Sequence, residues 1–364
     1  MSDPGPPDPG SPAEPTERSI PVSSDTGPAL TAPASPGSPA PPPARRPGAR
    51  IFTLEGRAAP GLFLVGWLST VMGVAVLFVA VQPAIANGPA VVLSFVGLGL
   101  LSIGLVSGAG SQALERQRRG LAYPGPSPFL VFAAVIPVTS LITGLAFVAA
   151  RPIGIGIESP LASLISLAVQ AVVYVALVRL LVVGPGALTW PEMGVARRAI
   201  ALMAEDIGIG VAVGFGVLIV TVAIAAILTL FLPAPDSPLP PSGTATGLIL
   251  NLVTAAILAP IGEELFFRGF ATTAWSRSIG VTPAIVRAAI FFDLAHVLTV
   301  GGTSFGDAAL RALVAFLTRL PVALALGFVF VRRRSLVASI AVHATFNGVI
   351  VLAAESVARR AAGG

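Results

Sequence analysis

The sequence contains no cysteine and no lysine. Without thiols there are no disulfides, no thiolate metal sites and no cysteine nucleophile. Without lysine there is no Schiff-base chemistry on a side chain, and every permanent positive charge on a side chain is an arginine. Charge of either sign is scarce, at 11% of residues, against about 25% in a soluble globular domain. Histidine occurs twice, as His296 and His343. What fills the chain instead is apolar: 54% of residues are hydrophobic and the mean hydropathy is +0.88. The apolar residues arrive in runs of about 20, the length a helix needs to cross a bilayer. The net charge is +5, but the arginines sit in short clusters between apolar runs. That is the pattern of membrane loops rather than of a nucleic-acid-binding face, so no nucleic acid is expected as a partner. Arginine without lysine, among abundant Ala, Gly and Pro, fits a bacterial genome of high G+C content.

The expected fold is all-α, a polytopic transmembrane bundle of about eight or nine helices. Apolar runs predict spans near 61–82, 90–111, 128–149, 161–183, 209–232, 246–268, 282–300, 312–331 and 335–354. The eighth is the weakest, because Arg311 and Arg319 interrupt it. Residues 1–50 are rich in Pro, Gly, Ser and Ala and carry no short apolar core of a signal-peptide kind; they are expected to be a disordered tail. Arg45, Arg46, Arg50 and Arg57 precede the first span, and Arg116, Arg118 and Arg119 follow the second. Arg197 and Arg198 follow the fourth, and Arg332 to Arg334 the eighth. Alternate loops are poor in arginine, which predicts a multi-pass protein of the cell membrane with a cytoplasmic N-terminus. Residues 190–206, "WPEMGVARRAIALMAED", predict an amphipathic helix lying on the membrane surface.

Ionisable residues inside such spans are costly and are functional candidates by default. The first five spans carry only Gln170 and Arg179 as polar interruptions. The last four hold Glu263, Glu264, Arg268, Asp293, His296, His343 and Asn347. In "APIGEELFFRGF", Glu264 and Arg268 are one helical turn apart, with the acid before the base, the favourable order for a pair. Glu263 is rotated about 100° from Glu264 and has no local partner. Pro260 removes a helix hydrogen bond just upstream and can open the backbone there. In "FFDLAHV", Phe292 and His296 share a face, and Asp293 is expected to accept from a ring nitrogen of His296. In "HATFN", His343 and Asn347 share a face, where an imidazole and an amide suit an oxyanion or interhelical hydrogen bonds. With Arg268, Arg287 and Arg334 taken as marking the cytoplasmic interface, Glu263, His296 and His343 fall at similar depths, about 8, 13 and 13 Å inward.

In this order the three motifs resemble the CAAX protease and bacteriocin-processing (CPBP) family of intramembrane proteases. The pattern EExxxR, FxxxH and HxxxN stands here as Glu263, Glu264 and Arg268, then Phe292 and His296, then His343 and Asn347. The resemblance covers about the last 120 residues and implies a division into N-terminal transmembrane helices (51–240) and a catalytic core (241–358). It implies an intramembrane endopeptidase in which Glu263 and His296 activate a water. His343 and Asn347 would stabilise the oxyanion, and Glu264 and Arg268 would hold the first motif in place. The substrate would be a membrane-embedded or lipid-associated peptide or protein. Glu263, His296 and His343 are also a two-histidine, one-carboxylate set of the kind zinc takes, although the HExxH helix of soluble zinc proteases is absent. The competing functions are a scaffold or bacteriocin-immunity protein of the same fold, and a proton-coupled transporter. The latter predicts inverted repeats, which the one-sided placement of polar residues does not suggest.

Overall fold

The computed structural model describes residues 53–363 apart from Pro238; the expected disordered tail, 1–50, lies outside the described residues. The helices are α1 (Pro60–Ala80), α2 (Asn87–Arg118), α3 (Pro128–Ala150), α4 (Pro160–Val183) and α5 (Ile200–Leu228). They continue with α6 (Ala245–Ile279), α7 (Val281–Val297), α8 (Phe305–Arg333) and α9 (Leu336–Gly363). No strand occurs among the described residues. The protein is an all-helical, multi-pass membrane bundle.

Local chemistry sets many of the helix starts. Proline opens α1, α3 and α4, where its missing N–H costs nothing and its φ is already helical. Ser159, Thr244 and Ser304 cap α4, α6 and α8 by accepting from the N–H of Ala162, Gly247 and Asp307. Arg334, at φ 48°, turns the chain sharply from α8 into α9. Helices α1 and α2 pack through small residues. A Cβ on Gly66 would stand 2.9 Å from the backbone nitrogen of Gly108, and one on Gly73 would stand 2.6 Å from that of Leu101. Backbones approach this closely only where side chains are absent.

Among the described residues, eight helices are long and apolar enough to cross a membrane. The exception is α7, with 17 residues. Contacts between the loops nevertheless sort them onto two ends of the bundle. At the first end Arg118 reaches Gly56 O, Gln117 reaches Pro185 O, Arg277 pairs with Glu192 and Arg198 reaches Arg333 O. At the second end Arg311 reaches Ala234 O, Glu355 accepts from Ser242 and Gly243, and Arg359 reaches Thr244 O. Helix α7 carries the chain from the first end to the second, so it too runs from one end of the bundle to the other.

One expectation holds and one is corrected. The eighth span, expected as the weakest, is present as a continuous helix of 29 residues. Its arginines do not face lipid: Arg311 bonds Asp307 at 3.1 Å, and Arg319 lines an internal cavity. The surface helix expected at 190–206 does not form before Ile200. There Glu192 turns back onto the N–H of Thr189 at 2.7 Å, and Gly194 adopts φ 80°. Arg198 and Arg333 both go to the buried Asp206 instead of lying on a helix face.

Candidate active site

The site is built on an irregular helix. Within α6, ordinary helical turns alternate with wider π turns at Thr254–Leu258 and Glu264–Thr272, on either side of Ala259–Glu263. Such wide turns inside α-helices often mark functional sites. The cause of the first is legible in Pro260. The N–H of Ala259 bonds Thr254 O, a step of five residues. In that register Ala255 O would accept from residue 260, and proline has no N–H. The Asn347 Nδ2 fills the gap, donating to Ala255 O at 2.9 Å. The chain thus ties α9 to α6 through a carbonyl that α6 cannot satisfy itself.

Glu264 is fully buried and fully engaged. Arg268 Nη1 donates to its Oε1 at 3.0 Å, and the Ser339 hydroxyl donates to its Oε2. His343 Nδ1 lies 2.8 Å from Oε1. Arg268 also donates to Ala323 O at 3.2 Å and stacks over the Phe292 ring at 4.3 Å. One buried carboxylate therefore joins α6 to α9, and through Arg268 to α7 and α8. The pairing of Glu264 with Arg268 follows the four-residue spacing, and the link to His343 was not legible from it.

Glu263 points elsewhere. Its Oε2 lies 3.6 Å from His296 Nε2 and 3.8 Å from His343 Nε2. Both distances exceed a direct hydrogen bond. The far nitrogen of each ring is already used: His296 Nδ1 meets Phe292 O at 2.8 Å, and His343 Nδ1 meets Glu264. Those bonds orient both rings so that both Nε2 atoms face one carboxylate oxygen. The Phe292 ring packs between the two imidazoles, with centroids 4.3 Å from His296 and 5.7 Å from His343. Phe266 and Phe267, from the same "ELFFR" stretch, extend this aromatic floor to Tyr174 and Phe132.

Glu263, His296, His343 and Asn347 all line one cavity of about 400 Å³. Gln170 and Arg319 line it too, as do Leu239 and Thr299 from the loops at the second end. Two further expectations fail here. Asp293 does not hold His296; it is fully buried, and neither of its carboxylate oxygens has a partner. The ring nitrogen went to Phe292 O because a carbonyl one turn back lies along the same helix face. Arg268 does not face a headgroup layer: it is fully buried and bonded to Glu264 and Ala323 O. The cavity reaches the loops at the second end through Leu239 and Thr299.

The fit to zinc is poor. A tetrahedral ion with bonds of about 2.0–2.2 Å holds its donors about 3.3–3.6 Å apart. The two separations here, 3.6 and 3.8 Å, lie at and beyond that limit. Among the described residues no group of three or more His, Cys, Asp or Glu side chains is placed to hold a metal ion.

The site is thus a carboxylate and two imidazoles converging on an internal cavity of a polytopic helical bundle. The family model described as Rce1-like, type II CAAX prenyl endopeptidase Rce1-like, matches residues 245–349, so this segment is similar to that family of endopeptidases. The match begins at the start of α6 and ends in α9, taking in every motif residue named above. No curated protein and no solved structure matches the chain.

Proposed function

We propose that the protein hydrolyses a peptide bond of a membrane-embedded or lipid-associated peptide, with residues 241–358 as the catalytic core and Glu263 as the base. The observation that carries this reading is the placement of Glu263 Oε2 between two Nε2 atoms, at 3.6 and 3.8 Å, on the wall of an internal cavity. Gaps of this size between polar atoms suit one shared water. Glu263 takes a proton from that water, and the water oxygen bonds to the scissile carbonyl carbon. His296 Nε2 orients the water, its ring fixed by Phe292 O. The carbonyl oxygen becomes an oxyanion. Asn347 has a second amide N–H beyond the one given to Ala255 O, and His343 offers Nε2 when that nitrogen carries a proton. The carbon–nitrogen bond then breaks, and the proton held by Glu263 passes to the departing amine.

Glu264 acts one step back. It holds His343 and Arg268 in place and does not touch the cavity. No step requires a metal. In this reading the arginine-rich first end is the cytoplasmic one, and the protein is a cell-membrane protein with its N-terminus inside.

The test uses purified protein in detergent with a prenylated CAAX peptide and a panel of hydrophobic membrane peptides. Glu263→Gln and His296→Ala are expected to abolish cleavage while the helical fold survives, and a chelator is expected to leave wild-type activity unchanged. Cleavage that persists in both variants overturns the proposal; loss of activity on chelation, restored by zinc, overturns its metal-free form.

A further inference from the structure

The cavity holds a cation that the mechanism above does not use. Arg319, midway along α8, lines the cavity with Glu263, His296 and Asn347. It makes no hydrogen bond or ion pair with any described residue, and its Nη1 is fully shielded without a partner. The acids whose charges act on it are Asp293 and Glu263, and it bonds to neither. Arg268, by comparison, gives Nη1 to Glu264 and Nη2 to Ala323 O, and only its Nε lacks a partner. An arginine kept in a membrane span without direct partners is costly, and such residues mark ligand pathways.

We propose that Arg319 binds an anionic group of the ligand, the free C-terminal carboxylate of an apolar peptide, within the same cavity in which Glu263 acts. This deepens the endopeptidase reading and rests on it. A guanidinium fork matches a carboxylate in geometry and charge, and the match strengthens where water is excluded. Around it the cavity is lined by Leu167, Val322, Phe132 and Phe346, which suit apolar side chains rather than a polar chain. At about 400 Å³ the cavity takes only a few residues, which fits a chain end better than a long internal segment. The substrate would then be cut close to its C-terminus, with the terminal carboxylate on Arg319 setting which bond faces Glu263.

Two peptides test this: a fluorescent prenylated CAAX peptide with a free C-terminal carboxylate, and the same peptide as the C-terminal amide. Binding is measured by anisotropy to the full chain carrying Glu263→Gln, in nanodiscs of phosphatidylcholine. This readout needs no turnover, so its failure is separable from failure of the protease reading. The acid is expected to bind roughly tenfold or more tightly than the amide, the scale of a charge-assisted hydrogen bond. Adding Arg319→Gln is expected to bring the ratio to about one, and Arg319→Lys to restore part of it. Equal binding of acid and amide, including no binding of either, overturns the proposal, as does a preference that survives Arg319→Gln. Loss of the preference in nanodiscs of phosphatidylglycerol would assign Arg319 to a lipid phosphate and overturn it likewise. If the acid preference holds while the unmutated protein cleaves neither peptide, the carboxylate site stands and the endopeptidase assignment falls.

Discussion

At the scale of single residues, two adjacent glutamates do opposite jobs. Glu264 is spent on structure, with Arg268, Ser339 and His343 on its two oxygens. Removing one partner from such a buried cluster leaves an uncompensated charge, which typically costs about 3–5 kcal/mol. Glu264→Gln is therefore expected to lower the thermal unfolding midpoint of the detergent-solubilised protein markedly. Glu263→Gln is expected to leave that midpoint unchanged or to raise it, because Glu263 has no hydrogen bond to lose and its charge is buried. Equal midpoints for the two variants would contradict this division. Its first half was legible in the sequence: the four-residue spacing paired Glu264 with Arg268 and left Glu263 over. The ties from Glu264 to Ser339 and His343 were not, because they join positions 75 and 79 residues away, which no local periodicity encodes.

At the scale of elements, the apolar runs foretold the helices well, because a bilayer crossing demands length and apolarity together. They could not foretell the π turns of α6, whose register depends on one missing N–H at Pro260 and on an amide supplied by α9. The same blindness made α8 look weak, because a sequence does not say whether Arg319 faces lipid or a cavity. The link between Pro260 and Asn347 has a measurable consequence. Asn347→Ala strands the carbonyl of Ala255 and is expected to cost about 1–3 kcal/mol. In a Pro260→Ala background the restored N–H can serve that carbonyl, so the same change is expected to cost clearly less. A double-mutant cycle followed by thermal unfolding reads the difference; strict additivity would mean that the proline does not create the need for Asn347.

At the scale of the whole molecule, loop contacts at both ends carry α7 across the bundle even though it is short. The native chain has no cysteine, so single introduced cysteines report sidedness without background. With the arginine-rich end inside, Gly120→Cys is expected to react with an impermeant maleimide only after the membrane is opened. Gln82→Cys and Gly301→Cys are expected to react in intact cells. Protection of Gly301→Cys in intact cells would mean that α7 does not cross. Arg359 and Arg360 then lie outside, against the general rule for positive charge, and one of them is tied down by its bond to Thr244 O.

The central claim is that Glu263 activates a water for peptide-bond hydrolysis, and the most direct measurement compares cleavage rates of wild-type and Glu263→Gln protein on the same prenylated CAAX peptide. General-base loss predicts a fall in kcat of about 10²–10⁴-fold with the peptide's affinity retained. A Glu263→Gln protein that cleaves at the wild-type rate would contradict the account.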